Sequence, residues 1–321
     1  MTSRLIEIPA AADAGTQIPV TTIEGAAPGP TLALIAGNHG YEYPPILALQ
    51  QLGAEIDPAA LSGTIILVHV ANMPSFLGRT IYFSPVDGKN LNRVYPGRAD
   101  GTVSERIAYA ITQEIIEPAD YVLDLHCGDG NESLRPYVYQ TVTADARLNG
   151  QIARLALAFG IDHIVIDKNR PTDPARSMYC SNTAITRGKP AMTVESGYLG
   201  SSDPECVEQI VAGVLGVLRE LKMLPGGPEP LSEATYLDPA EVLTSPETGI
   251  LYPQVERGAW VEKGQLLARI TDFFGATIAE IHSPLEGVVL YIVATPPIVK
   301  GQPVGCVGAP LGARFGLPER L

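Results

Sequence analysis

The sequence predicts an α/β fold with a mixed, mostly parallel central sheet and flanking helices, joined to a C-terminal all-β unit. Three observations carry that reading. Over the first 225 residues, short apolar runs alternate with segments of helical period. A proline- and glycine-rich stretch, Pro225–Pro230 (PGGPEP), then punctuates the chain. Past it, short strand-like runs are separated by glycine turns.

Each element has its own signal. Thr31–Ala36 (TLALIA), Thr64–Val70 (TIILVHV), Tyr121–Leu125 (YVLDL) and Ala191–Val194 (AMTV) are the short, nearly all-apolar runs expected of strands covered on both faces. Pro45–Leu52 opens with proline, which suits a first helical turn. Thr102 and Glu105 have capping-box spacing, and Ile107, Ile111 and Ile115 recur four apart on one helical face. Pro204–Met223 reads as a third helix, stopped by Pro225–Gly226–Gly227–Pro228. The expected division is therefore an α/β domain over residues 1–225, and a linker with a β-rich domain over residues 226–321.

The β part is built from GILYPQV, GQLLARI, ATIAEI and GVVLYIV, and its halves echo each other. Val261–Gln265 (VEKGQ) is matched by Ile298–Gln302 (IVKGQ). This part resembles the barrel-sandwich fold of lipoyl and biotinyl carrier domains. Such domains present a modified lysine at a central hairpin, which falls here near Thr271–Gly275 (TDFFG). Phenylalanines occupy that place, so a carrier role is not expected.

Composition narrows the function classes. The 321 residues are 45% hydrophobic and 18% charged, an ordinary globular balance. A formal net charge of −13 argues against sequence-independent nucleic-acid binding and against attraction to anionic membranes. No run approaches the ~20 apolar residues of a membrane span. Cys127, Cys180, Cys206 and Cys306 are scattered without a C-x-x-C pair, and Met1–Pro9 lacks the apolar run of a signal peptide. The expectation is a cytoplasmic protein with reduced thiols, and homo-oligomerisation stays open.

The chemistry gathers where strands end. Gly37–Asn38–His39–Gly40–Tyr41–Glu42 follows the first buried strand, and a histidine and a glutamate three apart on such a loop can converge on one cation. Asp124–Leu125–His126 ends another strand; ligands in α/β sheets bind beyond those carboxyl ends. Asp124 shares a face with His126 and is a candidate to orient it. Two histidines and one carboxylate leave a fourth zinc position open, as catalytic sites require. The blander alternative is a pair of hydrogen-bonded histidines near strand ends.

Glu195 in Thr193–Gly197 (TVESG) also ends a strand and is a candidate general base. Its alternative role is a structural ion pair. Asn92 and Arg93 stand side by side in a turn-rich stretch, suited to clamp a substrate carboxylate. Arg79 is a candidate to stabilise an oxyanion opposite the metal. His69, His163 and His282 have no liganding partner near them in sequence and read as packed or hydrogen-bonded side chains.

Taken together, GNHGYE, an arginine followed by DGKNLNRVYPG, VLDLHCG and TVESG resemble, in that order, the succinylglutamate desuccinylase and aspartoacylase family of the zinc carboxypeptidase superfamily. The motifs span Gly37 to Gly197, and the appended β domain extends the resemblance over nearly the whole chain. The resemblance implies a zinc carboxypeptidase-like fold and one Zn2+ per chain on His39, Glu42 and His126. It implies Glu195 as general base, Arg79 at the oxyanion, and Asn92 with Arg93 on a substrate carboxylate. The implied activity is removal of an acyl group from a small anionic N-acyl amino acid. The stretch around Asn92 is similar to that of the subgroup that deacetylates N-acetyl-diaminobutyrate in ectoine breakdown. Tyr137, Tyr139, Arg135 and Arg176 are further pocket candidates. The rival readings are a carboxypeptidase-like peptidase acting through the same site and a non-catalytic metal- or ligand-binding protein.

Overall fold

Short apolar runs joined by short connections give the first part of the chain few options other than a twisted sheet under helices. The computed structural model describes residues 1–227 and 229–312. Pro228 of the expected linker and residues 313–321 of the expected β domain lie outside the described residues. Strands β1 (Thr2–Ile8), β2 (Thr16–Glu24), β3 (Ala27–Ala36), β4 (Ser62–Val68), β5 (Tyr121–His126), β6 (Glu132–Leu134), β7 (Tyr137–Thr141), β8 (His163–Asp167) and β9 (Ala191–Glu195) belong to the first part. Helices α1 (Tyr43–Glu55), α2 (Met73–Gly78), α3 (Val103–Ile111), α4 (Ala146–Phe159), α5 (Cys180–Ile185) and α6 (Pro204–Glu220) lie between and after them.

The sheet runs β1-β2-β4-β3-β5-β9-β7-β8. Its middle is parallel, β4 with β3, β3 with β5 and β5 with β9, while β7 runs antiparallel to β9. Leu32–Ala36 and Val122–Leu125 are fully buried, as strands covered on both faces must be. Helix α6 packs against both α1 and α4, which lie on the sheet, while α5 lies on β5 and β9. The three isoleucines expected on one helical face, Ile107, Ile111 and Ile115, are all fully buried. Glu105 accepts a 2.9 Å hydrogen bond from the Thr102 N–H, closing the expected cap.

The C-terminal strands are β10 (Thr235–Thr244), β11 (Gly249–Pro253), β12 (Trp260–Val261), β13 (Leu266–Thr271), β14 (Thr277–His282), β15 (Gly287–Val293), β16 (Pro297–Ile298) and β17 (Pro303–Pro310). They form a separate antiparallel sheet, β14-β13-β11-β16, and also extend the large sheet through β10-β17-β15-β12. Hydrogen bonding therefore crosses the boundary expected at residue 225, because β10 pairs in parallel with β8. β6 likewise pairs with β15. A core of its own fills the space between the β sheets, and a further apolar cluster with Leu134, Tyr137, Val165, Leu237 and Leu290 joins the two parts.

The sequence echo is a repeated turn. Gln265 Oε1 accepts from the Glu262 N–H and Gln302 Oε1 from the Val299 N–H, each at 3.0 Å. Gly264 (φ 85°) and Gly301 (φ 86°) take the same left-handed conformation. The turn after β12 thus leads from the large sheet into β13 of the small one, and its copy after β16 leads from the small sheet into β17 of the large one.

Candidate active site

The carboxyl ends of β3, β5 and β9 lie side by side, and they carry the chemistry. Gly37–Glu42 links β3 to α1. Two glycines make its tight path possible. Gly37 has φ 72°, and a Cβ on Gly40 would meet the Ser75 carbonyl oxygen at 2.3 Å. His126 is the last residue of β5, and Glu195, the last of β9, is its register partner. Neighbouring parallel strands therefore place the two side by side.

Glu42 joins the two histidines. Its Oε1 lies 2.8 Å from His39 Nδ1 and 2.9 Å from His126 Nδ1. All three side chains are buried, and their ligand atoms fall within 4.8 Å of one another, a group able to hold a metal ion. The outer ring nitrogens are anchored. His39 Nε2 is 3.0 Å from Asn90 Oδ1, and His126 Nε2 is 2.9 Å from Asp124 Oδ1. Oxygen acceptors there hold the protons on the Nε2 atoms and turn both Nδ1 atoms inward. Asp124 is fully buried and is itself held by the Asn38 amide at 2.8 Å.

The electrostatics of the cluster suit a cation. Burial alone works against a charged His126, yet Asp124 and Glu42 outweigh it and raise its pKa well above the usual value. Burial opposes charge on His39 too, and Glu42 raises its pKa. Burial likewise opposes ionised Glu42, but the adjoining histidines draw its pKa down to about 2. A site where two imidazoles are pulled toward positive charge, around a carboxylate held ionised, fits a bound metal ion as well.

His39 and His126 line a cavity of about 550 Å³ together with Asn92, Arg93, Tyr139, Arg170, Tyr179 and Glu195. Burial, chiefly, pushes the Glu195 pKa well up; His126 opposes that shift, and Glu42 and Glu132 add to it. Asn92 is fixed by the Cys180 N–H, which donates to its Oδ1 at 2.7 Å, and its Nδ2 lies 3.1 Å from His126 Nε2. Arg93 lies with its guanidinium 4.7 Å from the centre of the Tyr179 ring and donates to the Asn92 carbonyl at 2.7 Å. Among the described residues it makes no ion pair.

The structure thus brings together His39, Glu42, His126, Glu195, Asn92 and Arg93. It does not bring Arg79 to them. Arg79 caps α2 in a left-handed conformation (φ 49°), and its exposed side chain lines an apolar depression with Tyr43, Phe76 and Leu77. Of the further candidates, Tyr139 reaches the cavity, and Tyr137 stands behind it with the two hydroxyls 3.3 Å apart. Arg135 pairs with Asp162 at 2.7 Å, and Arg176 ends a short 3-10 turn. His69 bonds Thr21, His163 pairs with Asp162, and His282 pairs with Glu280.

Sequence reasoning missed Asn90, Lys168, Arg170 and Tyr179. Asn90 sits inside a quoted motif, but nothing in the spacing says that its amide meets His39. Lys168 and Arg170 follow β8, which is parallel to β7 and so runs opposite to β9; the rule for the carboxyl ends of parallel strands therefore does not mark them. Arg170 is paired with Asp167 and stacks 3.9 Å from the Tyr179 ring centre, so that one tyrosine contacts two guanidinium groups. The cavity wall also includes Asp238–Val242 of β10 and Cys306 of β17. No helix among the described residues is long and apolar enough to cross a membrane.

A sequence profile of the succinylglutamate desuccinylase/aspartoacylase catalytic domain matches residues 28–221. N-alpha-acetyl-L-2,4-diaminobutyric acid deacetylase of Halomonas elongata is 33% identical over 275 residues, covering 84% of this chain and 78% of that protein. The product-bound structure of the ectoine utilization protein EutE (DoeB) from Ruegeria pomeroyi superposes with a TM-score of 0.85 at 29% identity. That match covers 96% of this chain and 95% of the other. A succinylglutamate desuccinylase/aspartoacylase structure from Rhodobacter sphaeroides gives a TM-score of 0.85 at 24% identity over 97% and 96% of the two chains, a likeness of fold.

Proposed function

The chain belongs to the succinylglutamate desuccinylase/aspartoacylase family, and on that premise we propose that it is a zinc-dependent amidohydrolase that removes the acyl group from a small, anionic N-acyl amino acid. The observation that carries the proposal is the convergence of His39, Glu42 and His126 at a cavity whose walls also hold Glu195 and Arg93. Two imidazoles and one carboxylate, with a position left open, are a donor set used by catalytic zinc. When bound there, zinc supplies Lewis-acid polarisation of the substrate carbonyl and lowers the pKa of water toward ~7.

The remaining steps belong to the chain's own side chains. Arg93 holds the substrate carboxylate, with Asn92 beside it, and so fixes the amide relative to the histidines. Glu195 takes the proton of the attacking water on its carboxylate oxygen. It returns that proton to the leaving nitrogen as the carbon–nitrogen bond breaks, giving a free carboxylate and an amine. A carboxyl whose pKa is raised by burial is a stronger base than a solvated one, which suits this role near neutral pH. Arg79, outside the cavity, has no part in this scheme.

The cavity wall contributed by β10 supports a small substrate over a peptide. About 550 Å³ is the scale of a small-molecule pocket. The relatives named for deacetylation and ectoine utilization make N-acetylated diamino acids the first compounds to assay. The test is a panel of N-acyl amino acids and short peptides, turned over by zinc-loaded protein. Turnover confined to acylated single amino acids is expected. Preferential cleavage of a C-terminal peptide bond would replace the proposal with the peptidase reading.

A further inference from the structure

Tyr82 adopts a left-handed backbone (φ 58°), a conformation that is a genuine outlier for a bulky side chain and needs surrounding structure to hold it. The holding groups come from one place. Asp129, 1% exposed, accepts from the Tyr82 N–H at 2.8 Å. The Tyr82 hydroxyl donates at 2.6 Å to Glu132 and lies 3.0 Å from Asn131 Oδ1. Both ends of the residue are therefore clamped by the segment that begins three residues after His126. Between the clamps, its ring meets the His39 ring edge-on, with centroids 6.1 Å apart and planes at 89°. The clamping segment is in turn held by the C-terminal strands, since Glu132 pairs with Val293 of β15 and the Ala294 N–H donates to the Asn131 carbonyl at 2.9 Å.

From this geometry we propose that Tyr82 is a positioning residue that ties the His39 loop to the segment following His126, and so sets the spacing of the two histidines for a metal ion. Asn90 and Glu42 fix the two ring nitrogens of His39 within the ring plane, and the perpendicular Tyr82 ring packed against it limits the tilt that those in-plane contacts leave. The left-handed backbone at Tyr82 is the strained element in this arrangement, and its clamps explain why it persists. The β unit enters the same device, because β15 anchors the clamping segment. The inference rests on the zinc site proposed above.

The test is the zinc affinity of the full chain, measured by competition with a chromogenic chelator, with the Tm of the metal-free protein as a separate readout. Tyr82→Phe keeps the ring against His39 and removes both hydroxyl contacts, Tyr82→Leu removes the ring as well, and Glu132→Gln retains an acceptor for the hydroxyl. The expected zinc Kd rises about tenfold in Tyr82→Phe and about a hundredfold in Tyr82→Leu, the scale found when groups that orient metal ligands are removed. Glu132→Gln is expected to stay within about threefold of the unsubstituted chain. Should Tyr82→Leu fail to fold, Tyr82→Phe and Glu132→Gln decide. A Tm loss with unchanged zinc affinity overturns the proposal and leaves Tyr82 a stabilising residue only. Unchanged affinity in the tyrosine variants of a chain that otherwise binds zinc overturns this inference alone. Failure of the unsubstituted chain to bind zinc overturns the site reading and this inference with it.

Discussion

Replacing Arg93 by alanine separates recognition from chemistry. Its guanidinium donates to the Asn92 carbonyl and lies over Tyr179, and among the described residues no carboxylate pairs with it. An incoming substrate carboxylate therefore gains a charge-assisted contact without displacing an internal one. Such contacts are worth about 1.5–3 kcal/mol, or roughly ten- to a hundredfold in kcat/KM. Arg93 is exposed to solvent in the cavity, which places the expected loss near the lower end, about ten- to thirtyfold. The assay compares N-acyl amino acids carrying a free carboxylate with their amide-capped analogues. Arg93→Ala should lose that factor on the free acids, mainly through KM, and less than about threefold on the capped compounds. Arg93→Lys should recover little, because an ammonium cannot reproduce the planar fork. Equal losses on both substrate types, accompanied by a fall in Tm, would reject the clamp and leave Arg93 as a tether of its own loop.

Glu195→Gln should retain bound zinc while kcat falls by about two to four orders of magnitude, since the shape survives and the base does not; a rate within tenfold of the unsubstituted chain would assign the proton transfer elsewhere. Asp124→Asn weakens the acceptor that holds His126 Nε2, so zinc affinity measured against a chelator should fall about ten- to a hundredfold. An unchanged affinity would show that Asn38 and strand geometry suffice to orient His126. Arg79→Ala should leave kcat within about threefold, because its side chain lies beside Tyr43 and outside the cavity. A loss of a hundredfold or more would return it to the oxyanion role that the motif order suggested.

What the sequence revealed follows physical lines. Strands buried on both faces carry long apolar runs, so β3, β4, β5 and β9 announced themselves, and with them the positions of His39, His126 and Glu195 at their carboxyl ends. Asp124 was legible beside His126 because residues two apart in a strand share a face. Contacts made across the chain left no such trace. The Asn90 amide reaches a histidine 51 positions away, and Tyr179 receives two arginines from separate loops. Arg79 shows the opposite case: spacing that suggests the cluster, with a side chain at the end of α2 that lines a depression beside Tyr43 and Phe76. The joining of the two parts was also hidden, because a linker-like composition at Pro225–Pro230 says nothing of β10 adding to the sheet beyond it.

Everything proposed for the mechanism depends on His39, Glu42 and His126 holding one catalytic zinc. The direct measurement is metal analysis of the purified full chain beside its His39→Ala and His126→Ala variants, with activity followed through chelation and readdition of zinc. The expected result is about one zinc per chain, near-complete loss of metal in both variants, and activity that disappears with the chelator and returns with zinc. Full zinc occupancy in both variants, or undiminished turnover by metal-free protein, would contradict it.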